Sequence, residues 1–403
     1  KFHDVKQKSF DLDLNIQIAT RLVRSCKSQK DILNWELPEK VPPTLLYDSL
    51  LKSLNKPTID LKNPMLINLV AKALHDIQVA KNIFSQNQYS LYICSHTIGI
   101  FYGSLAWMAV KNNVDVICLY GDYGSSRFLR IKNLMQLKNT ILSVPSKSVF
   151  FQLSESLESR LLKIGKMYMD KRLDGKVNDI AASYAFRNKN EINADEIREF
   201  FNWPKNKKIV TIYTQNWADF PYSLGMKNFI DFKEWFDITK NIAIENDDIL
   251  WLFKEHPIIT LYNYDYQDTV KFMIDSLNID HIKTAPNSWN NKSIMKATDY
   301  AITCNGSIGF ELSSQGKSVL IADQAWYSDL GFGLVSKSQK DYVNNLKTSW
   351  WNKIDLKKSK FNALKFIGLY LCLPSWQKNF KLYDDFRSDL IYYDFENFFN
   401  INK

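Results

Sequence analysis

Two short apolar runs constrain the fold more than any other feature: Ile249-Leu250-Trp251-Leu252-Phe253 and Tyr300-Ala301-Ile302-Thr303-Cys304. Each reads as a strand, and each ends in a loop that carries chemistry. The first is followed by Lys254-Glu255-His256-Pro257, the second by Asn305-Gly306-Ser307-Ile308-Gly309-Phe310-Glu311. In open α/β sheets, ligands lie at the carboxyl ends of strands, where loops and helix N-termini converge. A Gly-Ser-x-Gly turn entering a helix offers an anion backbone N–H groups and a positive helix end. Lys254 adds charge, and His256 adds a hydrogen bond or a proton. Together the two loops suit a phosphate-bearing ligand, with Pro257 fixing the end of the first.

The neighbouring sequence repeats the same grammar. Strands are expected at 209–213, 280–283 and 318–322, and helices at 229–245, 267–276, 290–297 and from Ser307. Phe232, Trp235, Ile238 and Ile242 set the apolar stripe of the first of these helices. Upstream, strand candidates at 91–95 and 114–120 flank an apolar helix at 98–111, again strand–helix–strand. Residues 12–80 and 153–200 have helical spacing, and 364–373 reads as an amphipathic helix. At 403 residues, two domains are expected. The divisions fall at 1–200, an acceptor-side Rossmann-like domain, and 201–345, a nucleotide-sugar-binding Rossmann-like domain. A helical segment at 346–403 is expected to lie across both. The fold class is α/β, two Rossmann-like domains in the glycosyltransferase B arrangement with a C-terminal helical segment, its active site in the cleft.

Charge narrows the partners. The chain has 52 basic and 43 acidic residues, net +9, which favours anionic ligands. The positive charge is scattered, and no basic block resembles a nucleic-acid arm, so nucleic acid is not expected. Five cysteines, an odd number without a C-x-x-C pair, suggest a reducing compartment and hence the cytoplasm. No apolar stretch approaches the ~20 residues of a membrane span. Trp350-Trp351, Trp376 and nearby lysines suit either peripheral contact with an anionic inner-membrane surface or packing against the domains. The chain begins without Met, which suits a trimmed chain or a part of a larger multidomain enzyme.

The loop after strand 209–213 sets Asp219 among aromatic and apolar residues, and Asp219 is the candidate catalytic carboxylate, as nucleophile or general base. An Asx turn before Pro221 is the structural alternative. His256 is the second catalytic candidate. Glu311, in the first turn of its helix, suits two ribose hydroxyls or simply complements the helix dipole. Gly306, Ser307 and Gly309 complete the nucleotide set with Lys254, His256 and Pro257. His96 and Tyr102, after strand 91–95, are acceptor-binding candidates, with Glu158. Asp122 and Arg127 are weaker cleft candidates; Glu155 and Glu158 each suit an acid or base role or a solvated helix face. No residues have metal-ligand spacing, so neither metal nor other cofactor is expected.

Asp219-x-Pro-x-Ser-Leu-Gly225, Lys-x-His-Pro at 254–257, Gly-Ser-x-Gly-Phe-Glu at 306–311 and Gly316-Lys317-Ser318-Val319 together resemble bacterial capsule and lipopolysaccharide glycosyltransferases. They look most like the retaining β-Kdo transferases, which use CMP-Kdo (Kdo is 3-deoxy-manno-oct-2-ulosonic acid). Ser95-His96-Thr97 with Tyr102-Gly103 resembles a first-domain signature of the same proteins. The resemblance implies that Lys254 and His256 contact the CMP phosphate and that Ser307 holds it from the helix end. It also implies that Glu311 binds the ribose and Asp219 forms a covalent glycosyl intermediate. The implied substrates are a nucleotide-sugar donor and a glycan or glycolipid acceptor. The residues themselves leave an inverting route open, and also a teichoic-acid-type polyol-phosphate transferase, a sugar-nucleotide epimerase or a non-catalytic glycan-binding module.

Overall fold

The computed structural model describes residues 12–120, 127–138, 147–177 and 179–371. The first unit opens with helices α1 (Leu12–Ser25), α2 (Pro43–Leu54) and α3 (Leu66–Gln86), followed by β1 (Leu91–Cys94), α4 (Gly99–Lys111), β2 (Asp115–Tyr120) and β3 (Arg127–Ile131). Proline at the start of α2 loses no helical hydrogen bond there, and Asn55 ends the helix in the left-handed region at φ 51°. β1 and β2 pair in parallel across α4, as the sequence pattern implies. β3 returns antiparallel, Val116 opposite Ile131, which the pattern does not reveal. The core of this unit is formed by α1 to α4 and the sheet.

Short helices α5 (Leu134–Lys138) and α6 (Lys147–Phe151) lead to α7 (Glu155–Leu173), α8 (Ile180–Phe186) and α9 (Ala194–Phe200). Then come β4 (Lys208–Tyr213), α10 (Phe232–Glu245), β5 (Ile249–Lys254), α11 (Val270–Asp275), β6 (Ile282–Thr284), α12 (Asn291–Ala297) and β7 (Tyr300–Thr303). The chain continues with α13 (Ile308–Ser314), β8 (Ser318–Ile321), β9 (Leu334–Val335), α14 (Gln339–Leu346) and α15 (Leu356–Phe366). The six strands form one parallel sheet in the order β6-β5-β4-β7-β8-β9. This is the doubly wound order, in which direction reverses between β4 and β7 and a crevice opens at their carboxyl ends. All residues of β5 and β8 are buried, because helices cover both faces.

Packing draws the boundary earlier than residue 200. Phe150, Leu161, Met169, Phe186, Ile197 and Trp203 share a core with Ile209, Leu250 and Ala301 of the second sheet. Their helical periodicity is as expected, but periodicity does not say which sheet a helix covers. The described part of the C-terminal segment belongs to the same unit: Ala363, Phe366 and Tyr370 lie in this core and not in the first. Trp350 is 1% exposed, and Trp351 stacks on Tyr300 at 4.3 Å, so this pair is part of the fold rather than a membrane-facing surface. Trp376 and Cys372 lie outside the described residues.

The units meet along α2. Lys56 bridges to Asp265 and, at 2.8 Å, to Asp268. Lys52 donates to the Tyr262 hydroxyl at 3.1 Å, and Asn55 donates to the Asn263 carbonyl at 3.0 Å.

Candidate functional site

A cavity of about 530 Å³ opens at the carboxyl ends of β4, β5 and β7, where the strand order reverses. It gathers Asp219, Lys254, His256, Pro257, Gly306, Ser307 and Glu311 from three loops. Gly309 does not line it. A Cβ there would meet the Tyr327 hydroxyl at 2.1 Å, so this glycine serves close helix packing. Among the described residues, four buried polar atoms lining the cavity have no hydrogen-bond partner: Tyr213 Oη, His256 Nδ1, Asn291 Oδ1 and Asn305 Oδ1. Buried polar atoms are rarely left so. Four on one cavity describe a wall shaped for a polar ligand.

Lys254 ends β5 with its side chain buried, its Nζ donating to the Asn287 Oδ1 at 3.0 Å and the Glu255 carbonyl at 3.2 Å. Burial pushes its pKa down to about 8, so it is still charged at neutral pH. The Glu255 carboxylate turns to the start of α11, accepting from the Lys271 N–H at 3.0 Å, and also accepts from Asn287 Nδ2 at 2.9 Å. Burial first, and the Lys254 charge second, push the His256 pKa down to about 4. The ring is therefore neutral at pH 7 and offers one N–H and one lone pair.

The β7 loop is closed on itself. The Ser307 hydroxyl donates to Glu311 Oε1 at 3.0 Å, and Arg172 of α7 donates to the same oxygen through Nε at 3.0 Å and Nη2 at 2.9 Å. Arg172 also pairs with Asp179, whose other oxygen accepts from the Ala182 N–H and caps α8. Glu311 is 3% exposed and Arg172 2%. Glu311 thus lines the cavity as half of a buried ion pair made through Oε1. Sequence reasoning missed Arg172 and Asp179. The signal was present: Leu161, Gly165, Met169 and Arg172 form one buried stripe of α7. An arginine in such a stripe needs a partner.

Asp219 behaves differently. Its carboxylate makes no hydrogen bond among the described residues, and burial raises its pKa, partly opposed by the Lys52 charge. Asp219 faces the first cavity. The next residue, Phe220, sits at φ 50° and lines a second cavity of about 360 Å³. His96 and Tyr102 line that second cavity, their rings edge to face at 4.4 Å. Lys52, Lys72 and Asp76 are its charged members. Burial lowers the His96 pKa. Glu158 lines neither cavity; it pairs with buried Lys365 at 2.6 Å, a structural role that its exposed-looking sequence context hides. Glu155 opens α7 as a first-turn acid. Asp122 lies outside the described residues, as does the side chain of Arg127. Among the described residues, no group of three or more His, Cys, Asp or Glu side chains is placed to hold a metal.

In class, the chain is similar to the capsule polysaccharide biosynthesis proteins over its second sheet and the helices around it. The family model described as "Capsule polysaccharide biosynthesis protein" matches residues 159–357, and every residue lining the first cavity falls inside that stretch. Among solved structures, the chain is similar to the KpsC β Kdo 2,4 transferase of Thermosulfurimonas dismutans, at 13% identity over 66% of this chain and 76% of that one, with a TM-score of 0.43. It is also similar to the β Kdo 2,7 transferase of KpsC from the same organism, at 14% identity over 72% and 80%, TM-score 0.39. A UDP-GlcNAc 2-epimerase from Neisseria meningitidis, bound to UDP-GlcNAc, matches at 12% identity over 80% and 94%, TM-score 0.30. No curated protein sequence matches the chain.

Proposed function

We propose that this chain is a glycosyltransferase of capsule polysaccharide synthesis that moves a 3-deoxy-ulosonic acid from its CMP donor to a glycan acceptor. The observation that carries the reading is the placement of Asp219. Its unpartnered carboxylate faces a polar cavity with Lys254 and His256, while the adjoining Phe220 faces a second cavity with His96 and Tyr102. A reacting carboxylate between a donor cavity and an acceptor cavity suits group transfer.

In this reading the Asp219 carboxylate attacks the anomeric carbon, and the bond to the CMP phosphate oxygen breaks. CMP leaves with the bonding electron pair, its charge met by Lys254 and a hydrogen bond from neutral His256. The acceptor oxygen then bonds to the anomeric carbon as the bond to Asp219 breaks; Asp219 leaves as its carboxylate and the hydroxyl proton passes to solvent, giving net retention. The charge is carried by side chains, so chelators are expected to leave the rate unchanged.

The test is intact-protein mass after incubation with CMP-Kdo, for wild type and Asp219→Asn. An adduct of one Kdo on wild type only supports the reading. CMP release that requires acceptor and shows no adduct favours inversion, with Asp219 as base. Altered free sugar without acceptor points to an epimerase, and neither adduct nor release sinks the proposed donor.

A further inference from the structure

We infer that Asp48, on α2 of the first unit, is the positioning residue for the loop that carries Asp219; this rests on the reading of Asp219 as the reacting carboxylate. Asp48 is 0% exposed. Its Oδ1 accepts from the Tyr222 N–H at 3.0 Å, and its Oδ2 accepts from the Ser223 N–H at 2.8 Å and the Ser223 hydroxyl at 2.7 Å. All three donors lie just beyond Asp219 in the chain. The residue before Asp48 holds the far end of the same loop: the Tyr47 hydroxyl donates to Asp231 at 2.9 Å, and Asp231 caps α10. The Tyr47 ring also meets Tyr222 edge to face at 5.6 Å. Two consecutive residues of one helix therefore hold both ends of the loop from 219 to 231.

The loop needs such a hold. Phe220 is a bulky residue in the left-handed region at φ 50°. That conformation persists only where the surroundings over-determine it. A buried carboxylate is a poor choice for stability alone. Burial raises the Asp48 carboxyl to about 7 in spite of its three donors, and the nearby Asp219 charge adds to the rise. The carboxylate has a use there as the acceptor that the loop's N–H groups require. The same helix lines the second cavity through Leu46, Ser49, Leu50, Lys52 and Ser53. One helix of the first unit thus builds the proposed acceptor cavity and fixes the carboxylate that would serve it.

The experiment uses the full chain with Asp48→Asn and Ser223→Ala. Hydrogen exchange is measured over 219–225, and CMP release from CMP-Kdo with acceptor is measured in parallel. The amide introduced by Asp48→Asn would keep one acceptor and turn an N–H donor toward the loop's donors. Exchange in 219–225 is expected to rise about tenfold or more while the rest of the chain keeps its protection. kcat should fall ~30-fold or more with the donor KM within ~3-fold, because Lys254 and His256 are untouched. Ser223→Ala should loosen the same segment less, and it carries the test if Asp48→Asn does not fold. Unchanged protection overturns the inference, as does a rise spread evenly over the chain, or a loosened loop with wild-type kcat. If wild type releases no CMP, the proposed donor falls, and the exchange result still decides whether Asp48 holds the loop.

Discussion

The two sides of the first cavity handle buried polarity in opposite ways. On the β7 side, Ser307, Glu311, Arg172 and Asp179 form a closed chain of charge-assisted hydrogen bonds. On the β4–β5 side, Asp219 has no hydrogen-bond partner among the described residues, and His256 Nδ1 is buried and unpaired. A satisfied buried pair fixes structure, and breaking it leaves a stranded charge. An unsatisfied buried group stores unfavourable desolvation that a ligand can relieve. Both sides look equally functional as sequence, but among the described residues the Asp219 carboxylate has no hydrogen-bond partner while Glu311 is paired with Arg172.

The largest expected effect is on the open side. Asp219→Asn should lower CMP release by about 10³-fold or more, roughly 4 kcal/mol of transition-state stabilisation. Thermal unfolding should show no loss of stability, because the substitution removes a charge that burial penalises. A midpoint well below wild type would mean that Asp219 is structural, and the contrast would fail. The closed side should show the reverse. Arg172→Ala is expected to destabilise by about 3–5 kcal/mol, since Glu311 and Asp179 lose their shared cation. Denaturant unfolding checks this, and a loss under about 1 kcal/mol would show the ion pair to be dispensable.

Lys254 stands between these cases, buried yet charged. Its folded pKa of about 8 lies below the ordinary 10.5. Between those values the unfolded chain holds a proton that the folded chain has released, so stability should rise with pH. If Lys254 meets the donor phosphate as proposed, donor binding should move the other way, because its charge is lost above pH 8. The donor KM is expected to rise up to ~10-fold per pH unit there, and Lys254→Met should raise it ~10-fold or more at pH 7 and flatten both trends. If KM stays level from pH 7 to 9.5 in wild type, Lys254 does not contact the donor phosphate.

The difference between the sides also marks what the sequence discloses. Continuous apolar runs identify the central strands because parallel strands are buried on both faces. Each of the expected strands from 209 to 322 is present, and their loops converge as the doubly wound order requires. β3 and β9 escape the pattern: β3 is antiparallel and β9 has two residues. Loop residues such as Asp219 and His256 are legible because their types and positions at strand ends carry the chemistry. Long-range partners are not: Arg172 lies 139 residues from Glu311, and Asp48 lies 175 from Ser223. No local periodicity encodes such pairings. The sequence alone therefore does not disclose that Ser307 and Glu311 are tied to Arg172, or Glu158 to Lys365.

Ser307 gives the smallest effect and the sharpest discrimination. A hydroxyl has one proton to donate, and that of Ser307 is directed to Glu311 Oε1. While that bond stands, the side chain can offer a phosphate only lone pairs, which repel it. The backbone N–H groups of Ser307 and Ile308 donate to no backbone carbonyl among the described residues. They remain free to meet an anion whatever the side chain is. Ser307→Ala is therefore expected to leave the donor KM within ~3-fold and to lower stability by about 1 kcal/mol, the contribution of one hydrogen bond to a charged acceptor that keeps its arginine. Titration of CMP against wild type and variant, beside thermal unfolding, separates the two effects. A ~10-fold or greater loss of CMP affinity with unchanged stability would show that the hydroxyl leaves Glu311 when the nucleotide arrives. The β7 side would then open on binding, and the two walls of the cavity would differ only while it is empty.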